Sequence, residues 1–128
     1  TGGAPEELLT LDLDELYDSV GAVLTDVSRD AREAWPAAVD HTRADLAGRD
    51  LRGQDLRGAS LRGGVLIRAD ARGRDFTNAD LLGADVRDAD VRGANLSRAL
   101  FLTQPQVNAM RGDAETRLPE SLDRPTYW

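Results

Sequence analysis

The chain of 128 residues has no cysteine, which excludes disulfides and thiolate metal ligands. Its single histidine, His41, leaves no histidine pair for zinc or copper, so metal chemistry would rest on carboxylates alone. Lysine is missing as well, and all sixteen basic residues are arginine. No apolar run approaches the roughly 20 residues that span a bilayer. Nor does a basic start lead into an apolar stretch and a small-residue cleavage site. The sequence therefore reads as soluble, unexported and cytoplasmic, with no membrane partner, and its Thr1-Gly2-Gly3 start reads as the beginning of a trimmed or internal piece.

Charge is unevenly spread. Residues 1–45 hold eleven acids against three arginines, a net of −8; residues 46–103 hold eight against ten, a net of +2; residues 104–128 hold four against three, a net of −1. The acidity lies in the N-terminal segment. A basic stripe of the kind that grips phosphate backbones is missing, and direct nucleic-acid binding is not expected.

What the chain does have is a period of five. Large apolar residues recur at Leu46, Leu51, Leu56, Leu61, Leu66, Phe76, Leu81, Val86, Val91, Leu96 and Phe101, interrupted only by Ala71. Two residues earlier lies a small column, Ala44, Ala59, Gly64, Ala69, Ala79, Ala84, Ala89, Ala94 and Ala99. The residue just before the large one is usually Asp or Asn, and glycine often follows two residues after it, where a corner can turn. Five matches neither the 3.6-residue helix nor the two-residue strand as a continuous element, so each unit must contain a turn.

Units such as Ala44-Asp45-Leu46-Ala47-Gly48, Ala79-Asp80-Leu81-Leu82-Gly83 and Ala94-Asn95-Leu96-Ser97-Arg98 resemble the pentapeptide-repeat family, with its pattern Ala-(Asp/Asn)-Leu-x-x. The stretch from Leu100 to Trp128 resembles the ends of actinobacterial members. The resemblance implies an all-β repeat core, a right-handed quadrilateral β-helix with four units per coil and about three coils, at residues 44–63, 64–83 and 84–103. At a strand spacing of about 4.8 Å such a rod is only about 14 Å tall. The expected organisation is an acidic N-terminal helical segment over 1–43, the repeat over 44–103, and a C-terminal capping helix with a tail over 104–128.

Helical spacing of Leu13, Leu16, Tyr17, Val20, Val23, Leu24, Val27, Ala31, Ala34 and Trp35 predicts a helix from Asp12, with Asp12 and Glu15 as a capping box, Leu11 against Leu16, and a break at Trp35-Pro36. Its other face carries Asp14, Glu15, Asp18, Asp26, Asp30 and Glu33, a solvated face or a partner site. At the far end Thr103 and Gln106 predict a second capping box, Leu102 and Val107 a staple, and Gly112 a C-terminal stop. The tail is expected to lie back along the rod.

Stacking four units per turn puts Asp50, Arg52, Asp70, Arg72, Asp90 and Arg92 on one face as a charged ladder, read as weak surface pairs or as a surface for a charged partner. Val65, Ile67, Leu82, Leu100 and Leu102 point outward and apolar, a candidate interaction patch covered by the chain's own ends or by a partner. Arg74 falls on the small inward column, with Arg49 and Gln54 as milder departures; the expectation there is a local bulge that turns Arg74 outward, ahead of a satisfied internal network. His41 is the only conventional base, and no concave pocket is implied, so no catalytic residue, cofactor or metal is assigned. Arg111-Gly112-Asp113 sits where a helix should end and is set aside as an adhesive motif.

These features point to a non-enzymatic protein-interaction or scaffolding module, its partner a protein, with a homodimer through an apolar face or the C-terminal segment as one form. The alternative is a DNA-mimicking inhibitor of a type II topoisomerase, DNA gyrase, which some members of the family are; a short coil of charge +2 argues against it, and the acidic N-terminal helix argues for it.

Overall fold

The computed structural model describes residues 5–128, the side chains of residues 5–12 and 14 excepted. It divides into two compact units, Thr1–Asp30 and Ala31–Trp128.

The first unit is helix α1 (Pro5–Arg32), whose last two residues belong to the second unit. It begins upstream of Asp12, with Pro5 in the first turn, where its missing N–H costs nothing. The expected Asp12 cap and Leu11–Leu16 contact fall outside the described side chains. The helix ends at Arg32, before Trp35, and the chain leaves it through tight turns, Trp35 N–H to Arg32 O at 2.9 Å and Ala38 N–H to Trp35 O at 3.0 Å.

The second unit corrects the expected all-β core. Among the described residues no β-strand forms; the pairing is a set of isolated parallel bridges, one residue each. The five-residue period is the physical reason. In the unit 45–49, Asp45 bridges, Leu46 points inward, and Leu46 to Arg49 is a β-turn closed by Arg49 N–H to Leu46 O at 3.0 Å. Only one residue per side remains for pairing, too few for a strand, so the core is a coil of turns.

The turn chemistry is legible residue by residue. The third turn position is left-handed at Gly48, Gly58, Gly63, Gly73, Gly83 and Gly93, as a type II turn requires. Arg43, Arg68, Asn78 and Asp88 take the same conformation without glycine, at roughly 1–2 kcal/mol each, less for Asn and Asp. Asp at the bridging position accepts the N–H two residues on, as in Asp45 to Ala47 at 3.1 Å and Asp75 to Thr77 at 2.9 Å. This Asx-turn explains why Asp and Asn recur there better than surface polarity does.

Bridges join residues 20 apart, Asp40 to Ser60 to Asp80 to Leu100, Asp45 to Val65 to Asp85, and Asp50 to Asp70 to Asp90. Four units therefore make one coil. Beyond Leu100 the register slips: Asp90 pairs with Arg111 and Asn95 with Arg117, one and two residues later than the period gives. Helix α2 (Gln104–Ala109) occupies the inserted stretch. Its N-cap is Thr103 with Gln106 in the expected capping box, and the Gln106 amide also donates to Leu81 O and Ala84 O, at 2.8 and 3.1 Å, which ties the helix to the coil below.

The interior is filled by side chains stacked coil on coil. Leu51, Leu56, Leu61, Leu66, Phe76, Leu81, Val91 and Leu96 are buried, and the alanines of the small column close the space between them. Ala71, the one small residue in the large series, shares its coil with Phe76, the largest, so volume is conserved within the layer. Phe101, placed inward by its spacing, is half-buried and left-handed at φ 62 because the register is lost at that point.

The C-terminal end of the coil is closed by substitutes. Val107 of α2, Met110 and Thr116 are buried, and Thr116 Oγ1 donates to Val91 O at 2.9 Å. Gly112 stops no helix; α2 ends at Met110 as its C-cap, and the Trp128 ring lies over Gly112, 2.5 Å from where a Cβ would sit. The tail lies across this end: Arg124 donates to Asp113 O and Thr116 O, and Tyr127 Oη to Asn108 O. At the other end Trp35 lies over Gly58, and the Arg57 guanidinium stacks 5.0 Å from its ring centroid.

Candidate functional site

Three surfaces of the coil carry the residues singled out in the sequence. The first is the charged ladder. Each arginine makes two hydrogen bonds to the aspartate of its own coil, Arg52 to Asp50 at 3.0 and 3.0 Å, Arg72 to Asp70 at 2.9 and 2.8 Å, Arg92 to Asp90 at 2.9 and 2.7 Å. Arg52 Nε also lies 3.2 Å from Asp70 and Arg72 Nε 3.8 Å from Asp90, so the pairs are cross-linked diagonally. In the last coil the order of sign reverses, with Arg111 on the aspartate column and Asp113 beyond Arg92, where Asp113 accepts the Gly93 N–H at 3.1 Å. The neighbouring columns repeat the arrangement in Arg57 with Asp55 and Arg87 with Asp85. Thr77 and Ser97 do the same with hydroxyls, bonding Asp75 and Asn95 at 2.6 Å.

The arginine-paired carboxylates Asp50, Asp55, Asp70, Asp85 and Asp90 are held below the usual carboxylate range. Hydrogen bonds from the Arg52 side chain and backbone lower Asp50 to about 2, and Arg57 does the same for Asp55. Asp70, Asp85 and Asp90 are lowered by the side chains of Arg72, Arg87 and Arg92, and Asp40 by Thr42. A carboxylate whose pKa is depressed by folding stabilises above its unfolded value near 4 and stops doing so as pH falls through the folded value. The melting temperature should therefore hold steady from pH 7 to 5 and fall between about pH 4 and 2, as read by circular dichroism. A flat profile down to pH 2 would show that the paired aspartates contribute nothing to the coil.

The second surface is the apolar patch. Leu82 follows Arg62 on one face, Leu100 stands in the column of Asp40, Ser60 and Asp80, and Val65 and Ile67 lie on the next face; these four are half-buried, and Leu102, past the loss of register at Phe101, is half-buried against the core. The corner between the two faces is formed by Gly63 and Gly83, which have no side chains to separate them. Beside the patch Asp80 is buried at 1% exposure, paired with Arg62 Nε at 3.0 Å and accepting the Leu82 N–H at 2.9 Å.

The third is the irregular position. Arg74 is half-buried and its Nη1 donates to Gln54 O at 3.4 Å, while its Nε is buried with no acceptor among the described residues. Gln54 in turn pairs with His41 Nε2 at 2.8 Å, and Arg49 is exposed. Elsewhere along this part of the coil each bridging residue exchanges backbone bonds with the coil below, as Asp70 does with Arg49 and Leu51 at 2.8 Å each. Between Asp75 and Gln54–Leu56 those two bonds are missing, and Gly53, at the adjacent corner, is not left-handed. The Arg74 guanidinium stands where the ladder is open.

Two features escaped the sequence reading. The Asx-turn at each bridging Asp or Asn, and the Asp-x-Thr and Asn-x-Ser pairs built on it, are a local signal, since position two after the turn residue is where a donor reaches its side-chain oxygen. The tryptophan seats on Gly58 and Gly112 depend on long-range closure and leave no local pattern. Among the described residues no group of three His, Cys, Asp or Glu side chains could hold a metal ion, and no helix is long and apolar enough to cross a membrane.

Comparison with known proteins follows the same period. The family model for pentapeptide repeats matches residues 42–78 and 65–98, with eight copies. No curated protein matches the chain significantly.

Proposed function

The chain belongs to the pentapeptide-repeat family, and from that premise we propose that it is a non-enzymatic protein-interaction module that binds a protein partner through the patch of Val65, Ile67, Leu82 and Leu100. The observation that carries the reading is placement. Positions that elsewhere hold paired Asp and Arg hold aliphatic side chains on two adjoining faces, and the corner between them has no side chain. Such a patch favours a partner whose apolar surface covers it and whose rim avoids the flanking charges.

The patch can be removed without disturbing the coil. Val65 and Ile67 occupy the bridging and donor positions of their unit, so Val65→Asp with Ile67→Arg restores the Asp-x-Arg corner found in the neighbouring units. This double variant should melt at or above the wild-type temperature. In affinity capture from native lysate it should lose the proteins that the wild type retains. Capture of the same proteins by both would exclude the patch as the interface.

The DNA-mimicking reading has less support. It needs a continuous negative surface, whereas the carboxylates Asp50, Asp55, Asp70, Asp85 and Asp90 are each matched by an arginine of their own coil. DNA gyrase supercoiling should be unaffected at micromolar protein, and inhibition in that range would reverse the ranking.

A further inference from the structure

We propose that Arg74 anchors a binding site for a small carboxylate with a short apolar body, seated where the ladder opens between Gln54–Leu56 and Asp75. The site is built from other residues than the apolar patch and does not depend on it. The chain supplies its own template for the contact. Arg52, Arg57, Arg72, Arg87 and Arg92 each hold the aspartate two residues earlier with Nε and Nη2 together, at 2.7 to 3.0 Å. Two residues before Arg74 stands Arg72, a like charge in place of that partner. Arg74 Nη1 goes to Gln54 O at 3.4 Å, so the edge formed by its Nε and Nη2 meets no acceptor among the described residues. A guanidinium offering that edge matches a planar group with two anionic oxygens.

Further donors and open space surround this edge. The bridge bonds missing beside Arg74 leave the N–H groups of Leu56 and Asp75 without an acceptor among the described residues. A cleft of about 420 Å³ follows the opening, lined by Leu56, Arg74 and Asp75 and by the corner glycines Gly53 and Gly73, where an added Cβ would meet nothing within 4 Å. The two carboxylates in its lining are already engaged. Asp55 is held by Arg57 at 2.9 and 2.8 Å, and Asp75 accepts from the Thr77 hydroxyl at 2.6 Å and the Thr77 N–H at 2.9 Å. A second cleft, about 350 Å³, shares Gln54, Asp55 and Arg57 with the first and is walled by Ala34, Trp35, Pro36 and Val39. The Trp35 Nε1 is a further buried donor with no acceptor among the described residues. Together the clefts offer a charged end at Arg74 and an apolar wall beside it, the arrangement that fixes and orients a small ligand.

The test is an NMR titration of the isotope-labelled whole chain at pH 7 with sodium butyrate, the ionic strength held constant with sodium chloride. The Arg74 Nε–H and the amides of Leu56 and Asp75 should shift saturably, with a midpoint in the millimolar range. Acetate, which lacks the body, should bind several-fold more weakly, and butyramide, which keeps the body and loses the charge, should give no saturable shift. Arg74→Ala should abolish the response at the two amides without lowering the melting temperature, because alanine is the residue most units carry at this position. Arg74→Lys keeps the charge and loses the two-point edge, and should raise the midpoint on the order of tenfold. Arg49→Gln, at an exposed arginine of the same column, should leave it unchanged. No saturation by about 100 mM butyrate, butyramide or acetate matching butyrate, or a response that survives Arg74→Ala would overturn the proposal.

Discussion

Phe76→Ala is expected to lower the stability of the coil by about 3–5 kcal/mol, the usual cost of emptying a buried phenylalanine site. For a unit of this size each kcal/mol moves the melting temperature by about 4–8 °C, so the loss should be on the order of 20 °C. The position is unforgiving for two reasons. Phe76 is 2% exposed and stacks between Leu56 and Leu96, beside Ala71, which is too small to move into the space. At Leu51, Leu61, Leu66 and Leu81 the backbone N–H donates to the next coil and the ladder is closed. At Asp75 the bonds to Gln54 and Leu56 are missing, so packing of Phe76 against Leu56 replaces the hydrogen bonds that hold neighbouring coils elsewhere. Phe76→Leu, which keeps most of the volume, should cost much less. Urea unfolding of both variants measures the difference, and a loss below 1 kcal/mol for Phe76→Ala would mean that the coil is not closed by packing at the gap.

Gly58→Ala should rank next. Gly58 is left-handed at φ +68, where a Cβ costs roughly 1–2 kcal/mol. That Cβ would also overlap the Trp35 Cβ, an atom close to the backbone that cannot swing aside. Displacing the indole adds an overpacking cost of about 1–3 kcal/mol and releases the Arg57 guanidinium stacked on it. The expected result is a drop of about 3 kcal/mol with red-shifted tryptophan emission. Gly53→Ala is the control, since Gly53 is not left-handed and nothing lies within 4 Å of its added Cβ; there the change should be neutral or slightly stabilising. Equal losses at the two glycines would contradict the turn assignment.

How much of this was legible beforehand differs by element. The period of five identified the inward series from Leu46 to Leu96, because burial in a narrow coil imposes the same choice at each unit. The capping box at Thr103 and Gln106 was equally legible, being a local motif with a local cause. The expected β-helix was not realised as strands, since family pattern and period specify a turn in every unit but not how many residues pair between turns. The slip after Leu100 was out of reach for a related reason: α2 and the loop after it insert one and then two residues, and only pairing with Asp90 and Asn95 reveals the count. For the site, the charged ladder and the apolar patch followed from the 20-residue coil once the period was known. At Arg74 the sequence marks a departure from the repeat, but which backbone bonds open, those between Asp75 and Gln54–Leu56, depends on how the guanidinium is accommodated against Gln54.

Every surface in this account exists only if residues 20 apart lie side by side, and the absence of cysteine makes that directly testable. Val65 and Asp85 are bridge partners, neighbours at about the 4.8 Å spacing that a disulfide can span. Val65→Cys with Asp85→Cys should therefore oxidise rapidly to an intramolecular disulfide, and Val65→Cys with Asp80→Cys should remain reduced. Cross-linking of the 65–80 pair, or of neither, would contradict the four-unit coil and with it the patch and the ladder.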